Sequence, residues 1–424
     1  MNIAVFLDRD GVINEISEGE FVNNISELKL VGGAIEGIKL LNSLGLKVIV
    51  VTNMPQVSRG LCTETDVEKL HEGLKKLLEK EGAIIDAFYY CPHHPERHHT
   101  DIKPEFMKYR IECKCRKPDI GMLEESAKKF DINLKYSFMI GDRTVDVKTG
   151  ENGGCRTILV KTGIGGTDKK YDVKADFDAD TVLDAARLIK SIIEIKTVIL
   201  VGGRGERLGH LTDKLPKPML PIKNKPLLEY LVELNRLYGI NKIVMSGHYL
   251  FDKIKDYFKD GAKYGVSIEY VDDGTEPLGS GGALRNCEDT LPENFIVMSG
   301  DVFTNINLWD LIKFHFKKDG MATLVVRKTD HPQDSDLIEM DDNLKAVKFY
   351  GKDSPKKVGN ISNASPFVFK KGVINFIVGG ASNLENDVVA SAIKSTDVYC
   401  YFNTKYLIKD IGTPERYKLL NEII

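Results

Sequence analysis

Residues Ile3 to Gly11, "IAVFLDRDG", run five apolar side chains straight into an aspartate-x-aspartate turn. An unbroken apolar run marks a strand covered on both faces, as in parallel sheets. Open parallel sheets bind ligands beyond the carboxyl ends of their strands, so Asp8 and Asp10 stand where a site would form. Side chains two apart on an extended segment point the same way. Two such carboxylates repel unless a cation or a shared proton intervenes. A solvated turn after a strand would read the same from this stretch alone.

Working outward, "KVIVVTN" (Lys47–Asn53), "FMIGD" (Phe138–Asp142) and "TILV" (Thr157–Val160) repeat the pattern. Between them, Thr65 to Glu81 places Val67, Leu70, Leu74, Leu77 and Leu78 at helical spacing. A second series holds "TVILVGG" from Thr197, "KIVMSG" from Lys242, "SIEYV" from Ser267, "FIVMSGD" from Phe295 and "ATLVVR" from Ala322. Alternating strand and helix signals imply an α/β fold of two domains, each a parallel-rich Rossmann-like sheet flanked by helices. A helix over Val182 to Lys196 closes the first, giving expected domains 1–194 and 195–424.

A chain of 424 residues, 42% of them apolar, exceeds one core and can fill two. A net charge of -3 without long single-sign runs argues against nucleic acid or an anionic membrane surface as partner. Two aspartates within the first ten residues exclude a signal peptide here, and no apolar run reaches membrane-spanning length. The cytoplasm is the expected compartment. The oligomeric state is not legible.

Seven cysteines, an odd number, fit reduced thiols plus a metal cluster better than a disulfide framework. Cys91-x-His93 and Cys113-x-Cys115 form a Cys₃His set suited to tetrahedral zinc. Four protein ligands leave no open position, so the expected role is structural: stapling loop 91–115. The following Arg116-Lys117 pair would thereby be presented to the site. His94, His98 and His99 read as exposed loop residues.

Three further segments act together with Asp8-x-Asp10. "VTN" ends its strand with Thr52 and Asn53, "RKP" supplies Lys117, and "MIGDRTVD" supplies Asp142 and Asp146. This order resembles the haloacid dehalogenase superfamily of phosphatases over about residues 1–190. The resemblance implies Asp8 as nucleophile and Asp10 as general acid and base. Thr52, the Asn53 backbone N–H and Lys117 would stabilise phosphoryl charge. Asp8 and Asp142, with the Asp10 carbonyl, would hold Mg²⁺. Asp146 reads equally as a ligand or a helix cap. "CPHHPE…CKCRKP" is similar to a narrower group, the D-glycero-D-manno-heptose 1,7-bisphosphate 7-phosphatases, close to the histidinol phosphatases. Met54 and Arg143 depart from its usual residues. Gln56, Arg59 and Arg116 are candidate substrate contacts; the first two read equally as plain loop residues.

The second half opens with "VILVGGRGERLGHLTDKLPKPMLPIKNKP" (Val198–Pro226). Leu208 breaks a G-x-G-x-x-G fingerprint, and no P-loop Gly-Lys-Ser/Thr is present. Glycines after a strand still let backbone N–H groups approach phosphate, and Arg204, Arg207, Lys214 and Lys217 add positive charge. A tight turn with a solvated basic face is the alternative. Together with "EPLGSGGAL" (Glu276–Leu284), "MSGDVF", "LEND" and "KDIGTPERY", the string resembles the sugar-1-phosphate nucleotidyltransferases from about Thr197 onward. Val201, Glu206 and Gly209-His210 depart from the usual loop.

The implied reaction joins a sugar 1-phosphate to the α-phosphorus of a nucleoside triphosphate, with Mg²⁺ on Asp301 and Asp410. Gly202, Gly203 and Gly205 would cradle phosphates; Arg207 and Lys217 would hold them. Glu276 is a candidate substrate contact, Gly279 would let base or sugar lie against the backbone, Glu385 would bond sugar hydroxyls and Lys352 would reach the sugar phosphate; for Glu385 and Lys352 an ordinary exposed charge reads equally well. The leading expectation is a bifunctional enzyme of nucleotide-activated heptose synthesis for surface glycans. It would remove the 7-phosphate and then transfer GMP from GTP. The alternatives are the same chemistries on a hexose or mannose phosphate, or a non-catalytic nucleotide-sugar sensor.

Overall fold

The computed structural model describes residues 1–16, 22, 24–95, 102–355 and 358–424; His98 and His99 lie outside them. Two compact units divide between Lys190 and Ser191. That division falls in the last turn of a helix, a few residues before the expected boundary.

The first unit contains β1 (Ala4–Leu7), β2 (Lys47–Asn53), β3 (Ala87–Cys91), β4 (Phe138–Gly141), β5 (Arg156–Val160) and β6 (Phe177–Ala179). Its helices are α1 (Ala34–Ser43), α2 (Pro55–Ser58), α3 (Glu64–Lys80), α4 (Gly121–Phe130), α5 (Thr144–Gly153) and α6 (Val182–Ile193). The strand order is β3-β2-β1-β4-β5-β6, with every pairing parallel. All four β1 residues are fully buried, which accounts for the unbroken apolar run. The chain winds outward from β1 through β2 to β3 and then resumes on the other side at β4. The crevice beyond β1 and β4 is therefore the topological switch point, where this architecture binds ligands.

Thr63 caps α3 through a capping box with Asp66. Val67, Leu70, Leu74 and Leu78 are buried as the spacing predicts, while Leu77 is exposed. The edge strand β3, "AFYYC", is half-buried along most of its length and carries neither alternation nor a β-branched run.

The second unit contains β7 (Lys196–Leu200), β8 (Pro221–Ile222), β9 (Lys225–Pro226), β10 (Lys242–Gly247), β11 (Ser267–Asp272), β12 (Asn294–Ser299) and β13 (Val302–Thr304). It continues with β14 (Ala322–Lys328), β15 (Leu337–Met340), β16 (Ala346–Tyr350), β17 (Ile361–Lys370), β18 (Val398–Phe402) and β19 (Ile408–Asp410). Helices α7 (Leu227–Leu237), α8 (Phe251–Phe258), α9 (Gly279–Asn286), α10 (Leu308–Lys318), α11 (Ala390–Ser395) and α12 (Pro414–Ile423) accompany them. The main order is β11-β10-β7-β12-β17-β14-β18.

The first four of these strands are parallel. β17 runs antiparallel to both β12 and β14, so this sheet is mixed rather than simply parallel. The cause is local: β15, β16 and β17 follow one another without a crossover helix, and β15 pairs antiparallel with both its successors. Successive residues of one strand enter opposite cores. Val198, Val244, Phe295 and Val297 join one apolar cluster, and Ile199, Met245, Ile296 and Met298 the other. Each such side chain contributes about 1.5–3 kcal/mol, and the sheet is a rigid floor for its loops.

Candidate active sites

At the β1/β4 switch point the first unit gathers Asp8, Asp142 and Asp146, with carboxylate oxygens all within 4.8 Å of one another. All three are buried. Lys117 Nζ lies 3.0 Å from Asp8 Oδ2 and 2.5 Å from Asp146 Oδ1. Burial works against charge on Lys117, but Asp146 and Asp8 outweigh it and raise its pKa. Three carboxylates face one buried ammonium, with the Arg143 Nε 4.0 Å from Asp142 Oδ1 at the rim. Burial, then the charges of Asp146 and Asp8, push Asp142 up to about 8. Its Oδ2 accepts a 2.8 Å bond from the Ile164 N–H, while Oδ1 is buried without a hydrogen bond among the described residues. A buried oxygen without a hydrogen bond, in a group with more carboxylates than cations, is a donor set that would suit a divalent cation.

Two glycines keep that space clear. A Cβ on Gly11 or Gly163, both at positive φ, would lie 2.4 or 2.3 Å from Asp142 Oδ2. Asp146 caps α5, its Oδ2 accepting from the Arg143 N–H at 3.1 Å, while Oδ1 meets Lys117. Both readings of that residue thus meet in one side chain: it caps the helix and belongs to the acidic group.

Asp10 stands apart. Arg9, fully buried, donates to it through Nε at 2.9 Å and Nη2 at 2.8 Å, and Asn14 adds a 3.0 Å bond. Behind Arg9 sits His71, 3.4 Å from Nη1 and stacked on Phe88. The Asp10 carboxylate is therefore aimed rather than free to swing, and it is not part of the three-carboxylate group. Asn53 does more than its backbone suggested. Its Oδ1 accepts from the Lys117 N–H at 3.0 Å and its Nδ2 donates to the Lys117 carbonyl at 3.2 Å, clasping the segment that carries the lysine.

The cleft has a volume of about 540 Å³, and Asp8, Asp10, Thr52, Asn53, Arg59, Arg116 and Lys117 line it. Arg143, Asp168 and Lys170 line it too. The sequence reading missed the last two because the segment after β5 carries no motif. Gln56 is a correction: it is fully buried in α2 and is not on the cleft wall.

Cys91, His93, Cys113 and Cys115 converge within 4.8 Å. The sulfurs are separated by 3.2 to 3.5 Å, and His93 Nδ1 lies 3.3 Å from Cys115 Sγ. A tetrahedral site with metal–sulfur bonds near 2.3 Å has sulfur–sulfur edges of about 3.8 Å, so the set fits a metal ion with little adjustment. Burial raises Cys91 and Cys115 and lowers His93, leaving neutral groups that a dication would convert to ligands. Arg116 Nη1 donates to the His93 carbonyl at 3.0 Å, tying the cluster to the cleft wall.

In the second unit, a cavity of about 740 Å³ is lined by Gly202, Gly203, Gly205, Arg207, Lys217, Gly279 and Asp301. His248 and Asp273, which no motif announced, share it. Lys217 Nζ pairs with Asp301 Oδ2. Asp410 lies across the β13–β19 ladder from Val302, so the fold brings the backbones of the two aspartates together. Arg416 Nη1 holds Asp410 at 2.8 and 2.9 Å. Burial opposes charge on Asp410, but Arg416, the Gly412 N–H and Lys217 outweigh it and lower its pKa.

Glu276, Lys352, Glu385 and Asp410 are not on the cavity wall. Glu276 and Lys352 are exposed. Burial raises Glu385, and the charges of Asp336 and Asp301 add to it, so its carboxyl feels the Asp301 end. Gly279 serves packing as well as the cavity: a Cβ there would lie 2.3 Å from the Ser382 carbonyl.

The family profile described as nucleotidyl transferase matches residues 196–423, and one described as HAD-hydrolase-like matches residues 114–185. A D-glycero-alpha-D-manno-heptose-1,7-bisphosphate 7-phosphatase of Photorhabdus laumondii is 37% identical, covering 38% of this chain and 83% of its own. A D-glycero-beta-D-manno-heptose-1,7-bisphosphate 7-phosphatase of Pasteurella multocida is 35% identical, covering 45% of this chain and 99% of its own. The crystal structure of a putative glucose-1-phosphate thymidylyltransferase from Bacillus anthracis covers 54% of this chain and 94% of its own. At a TM-score of 0.50 and 19% identity, it shares the fold of the second unit.

The molecule is thus an enzyme of two activities, a phosphatase and a nucleotidyltransferase. The chain belongs to the nucleotidyl transferase family and, through its first unit, to the HAD-like hydrolases that include these phosphatases. Among the described residues, no helix is long and apolar enough to cross a membrane.

Proposed function

We propose that the first unit removes the 7-phosphate of D-glycero-D-manno-heptose 1,7-bisphosphate, and that the second joins the resulting heptose 1-phosphate to GMP from GTP with release of pyrophosphate. The observation that carries this reading is the pairing itself. A unit matching heptose-bisphosphate phosphatases over 99% of one relative's length is fused to a nucleotidyl transferase, and the product of the first reaction is the class of substrate the second consumes. Incorporated into a surface glycan, the activated heptose would be the pathway's output, in a cytoplasmic enzyme acting on small molecules.

In the first unit, Asp8 attacks phosphorus and forms an aspartyl-phosphate, dividing one difficult displacement into two. Asp10, aimed by Arg9, protonates the departing sugar oxygen and then takes a proton from the attacking water. Lys117 and the Thr52 hydroxyl neutralise the phosphoryl oxygens, with Lys117 fixed by the Asn53 clasp. Mg²⁺ held by Asp8 and Asp142, with Asp146 beside them, would screen the carboxylates from the anionic ester. In the second unit, the Gly202–Gly205 backbone, Arg207 and Lys217 hold the phosphates in line, and positioning supplies most of the catalysis. Asp301 and Asp410 would hold Mg²⁺ there. Zinc on the Cys₃His set would be structural.

The test is incubation of the protein with each anomer of the bisphosphate, each of the four nucleoside triphosphates and Mg²⁺. Phosphate, pyrophosphate and GDP-heptose are the expected products. Failure to release phosphate from either anomer, alongside rapid turnover of another phosphate ester, would reject the substrate.

A further inference from the structure

We infer that His71 is a positioning residue of the phosphatase reaction: acting through Arg9, it fixes the Asp10 carboxylate so that Oδ2 carries the transferred proton. This deepens the acid–base role proposed for Asp10 above and rests on it. The chain of contacts begins at the edge strand. Phe88 and Tyr90, two apart on β3, point to one face. Their rings grip the His71 imidazole, Phe88 stacked with centroids 5.0 Å apart and Tyr90 edge-on at 5.7 Å. His71 belongs to α3 and is buried there with Leu70 and Leu74. Its Nε2 lies 3.4 Å from Arg9 Nη1. A guanidinium offers donors only, so the imidazole accepts there, as the neutral tautomer protonated on Nδ1. Burial, with the Arg9 charge adding to it, lowers His71 to about 3 and keeps it neutral.

Arg9 is fully buried, and among the described residues its side chain hydrogen-bonds only to Asp10 and His71. One edge of the fork, Nε and Nη2, meets the two Asp10 oxygens. The remaining corner, Nη1, meets His71. The guanidinium plane is thus held at both ends. Without His71 the Nη1 hydrogens are unpaired in a dry site, and the guanidinium turns to find another acceptor, taking Asp10 with it. The same contacts single out one oxygen. A carboxylate offers about four lone-pair sites. Oδ1 uses two, on Arg9 and Asn14. Oδ2 accepts from Arg9 alone among the described residues, and Asp10 lines the cleft. As the phosphorus–oxygen bond to the sugar breaks, the proton leaves Oδ2 for the sugar oxygen. When water attacks the aspartyl-phosphate and frees Asp8, Oδ2 regains a proton from that water.

The experiment measures phosphate release by the full chain from D-glycero-D-manno-heptose 1,7-bisphosphate and from p-nitrophenyl phosphate. The proteins are the wild type, Asp10→Asn, His71→Phe, His71→Gln and the double variant Asp10→Asn/His71→Phe. A sugar oxygen needs a proton to leave, and nitrophenolate does not. Asp10→Asn therefore lowers kcat/KM for the bisphosphate about 10²–10³-fold and changes that for the aryl ester by no more than about threefold. His71→Phe shows the same selectivity at about tenfold. With the aryl ester it also gives a burst of nitrophenolate, because the water step still needs Oδ2. Turnover of the aryl ester reports that the unit is folded. His71→Gln, whose amide oxygen reaches the Nε2 position, recovers the bisphosphate rate to within about threefold of the wild type. In the double variant, His71→Phe adds no further loss to that of Asp10→Asn. Equal losses on both esters in His71→Phe, no loss on either, or full additivity in the double variant would overturn the role of His71 while leaving that of Asp10 standing. Equal losses on both esters in Asp10→Asn would end the acid–base reading and this one with it. A wild type that hydrolyses the aryl ester and not the bisphosphate would end the substrate reading and this one together.

Discussion

The two sites solve one electrostatic problem differently. In the first unit, Asp8, Asp142 and Asp146 crowd together out of water, with Lys117 buried among them and Arg143 Nε 4.0 Å from Asp142. In the second, Asp301 and Asp410 are each matched by a cation of their own, Lys217 and Arg416. The first arrangement keeps more carboxylates than cations and an Asp142 oxygen without a hydrogen bond; the second is balanced as it stands. That contrast bears on where a metal ion would be held in each site. In the phosphatase site, Asp8, Asp142 and Asp146 would hold a resident ion. In the transferase site, an ion entering with the triphosphate would displace existing pairs, as magnesium bound by one or two carboxylates plus substrate phosphates does.

Four experiments probe that contrast. Lys117→Ala lowers kcat for phosphate release about 10²–10³-fold and leaves pyrophosphate release unchanged, and Lys217→Ala does the converse; crossed effects in the two assays would undo the separation. Cys113→Ser, or chelation of the cluster, costs the first unit several kcal/mol, a fall on the order of 10 °C in its midpoint, with the second unit's transition unmoved. Calorimetry resolves the two, and elemental analysis identifies the metal. Asn53→Ala frees the Lys117 segment and slows phosphate release about tenfold with little change in stability. A rate at the wild-type level would mean the clasp is incidental.

The smallest effect is a pH slope. Buried His315 bonds to Thr323 at 3.0 Å and Asn294 at 3.1 Å. Burial, with Lys370 nearby, lowers it to about 4 from 6.5. Between those values the unfolded chain binds the proton and the folded one does not. Stability therefore falls as pH drops from about 6.5 towards 4, by up to about 1.4 kcal/mol per pH unit. His315→Gln flattens that slope in acid denaturation curves, and an unchanged slope would place the titration elsewhere.

Much of the phosphatase site was legible because Asp8, Thr52, Asn53 and Asp142 each terminate a recognisable apolar strand, and parallel strands end on one side of a sheet. Spacing likewise exposed the Cys₃His set, since metal ligands come in short pairs. Illegible were the contacts that depend on which way a side chain turns. Gln56 shares a motif with Arg59 yet is swallowed by α2. Glu276 and Lys352 sit in or near transferase motifs but off the cavity wall. Asp273 and His248 reach the wall from strand ends with no pattern to mark them. The Arg9 clamp on Asp10 was hidden because a charged residue between two aspartates reads as solvent-facing, and only the fold buries it.

The central claim is that two separate sites act in sequence on one sugar. Its most direct test is Asp8→Asn given GTP and either heptose 1-phosphate or the 1,7-bisphosphate. Pyrophosphate at the wild-type rate from the monophosphate is expected, and no GDP-heptose from the bisphosphate. GDP-heptose formed from the bisphosphate by this variant at the wild-type rate, or loss of transfer to the monophosphate, would contradict it.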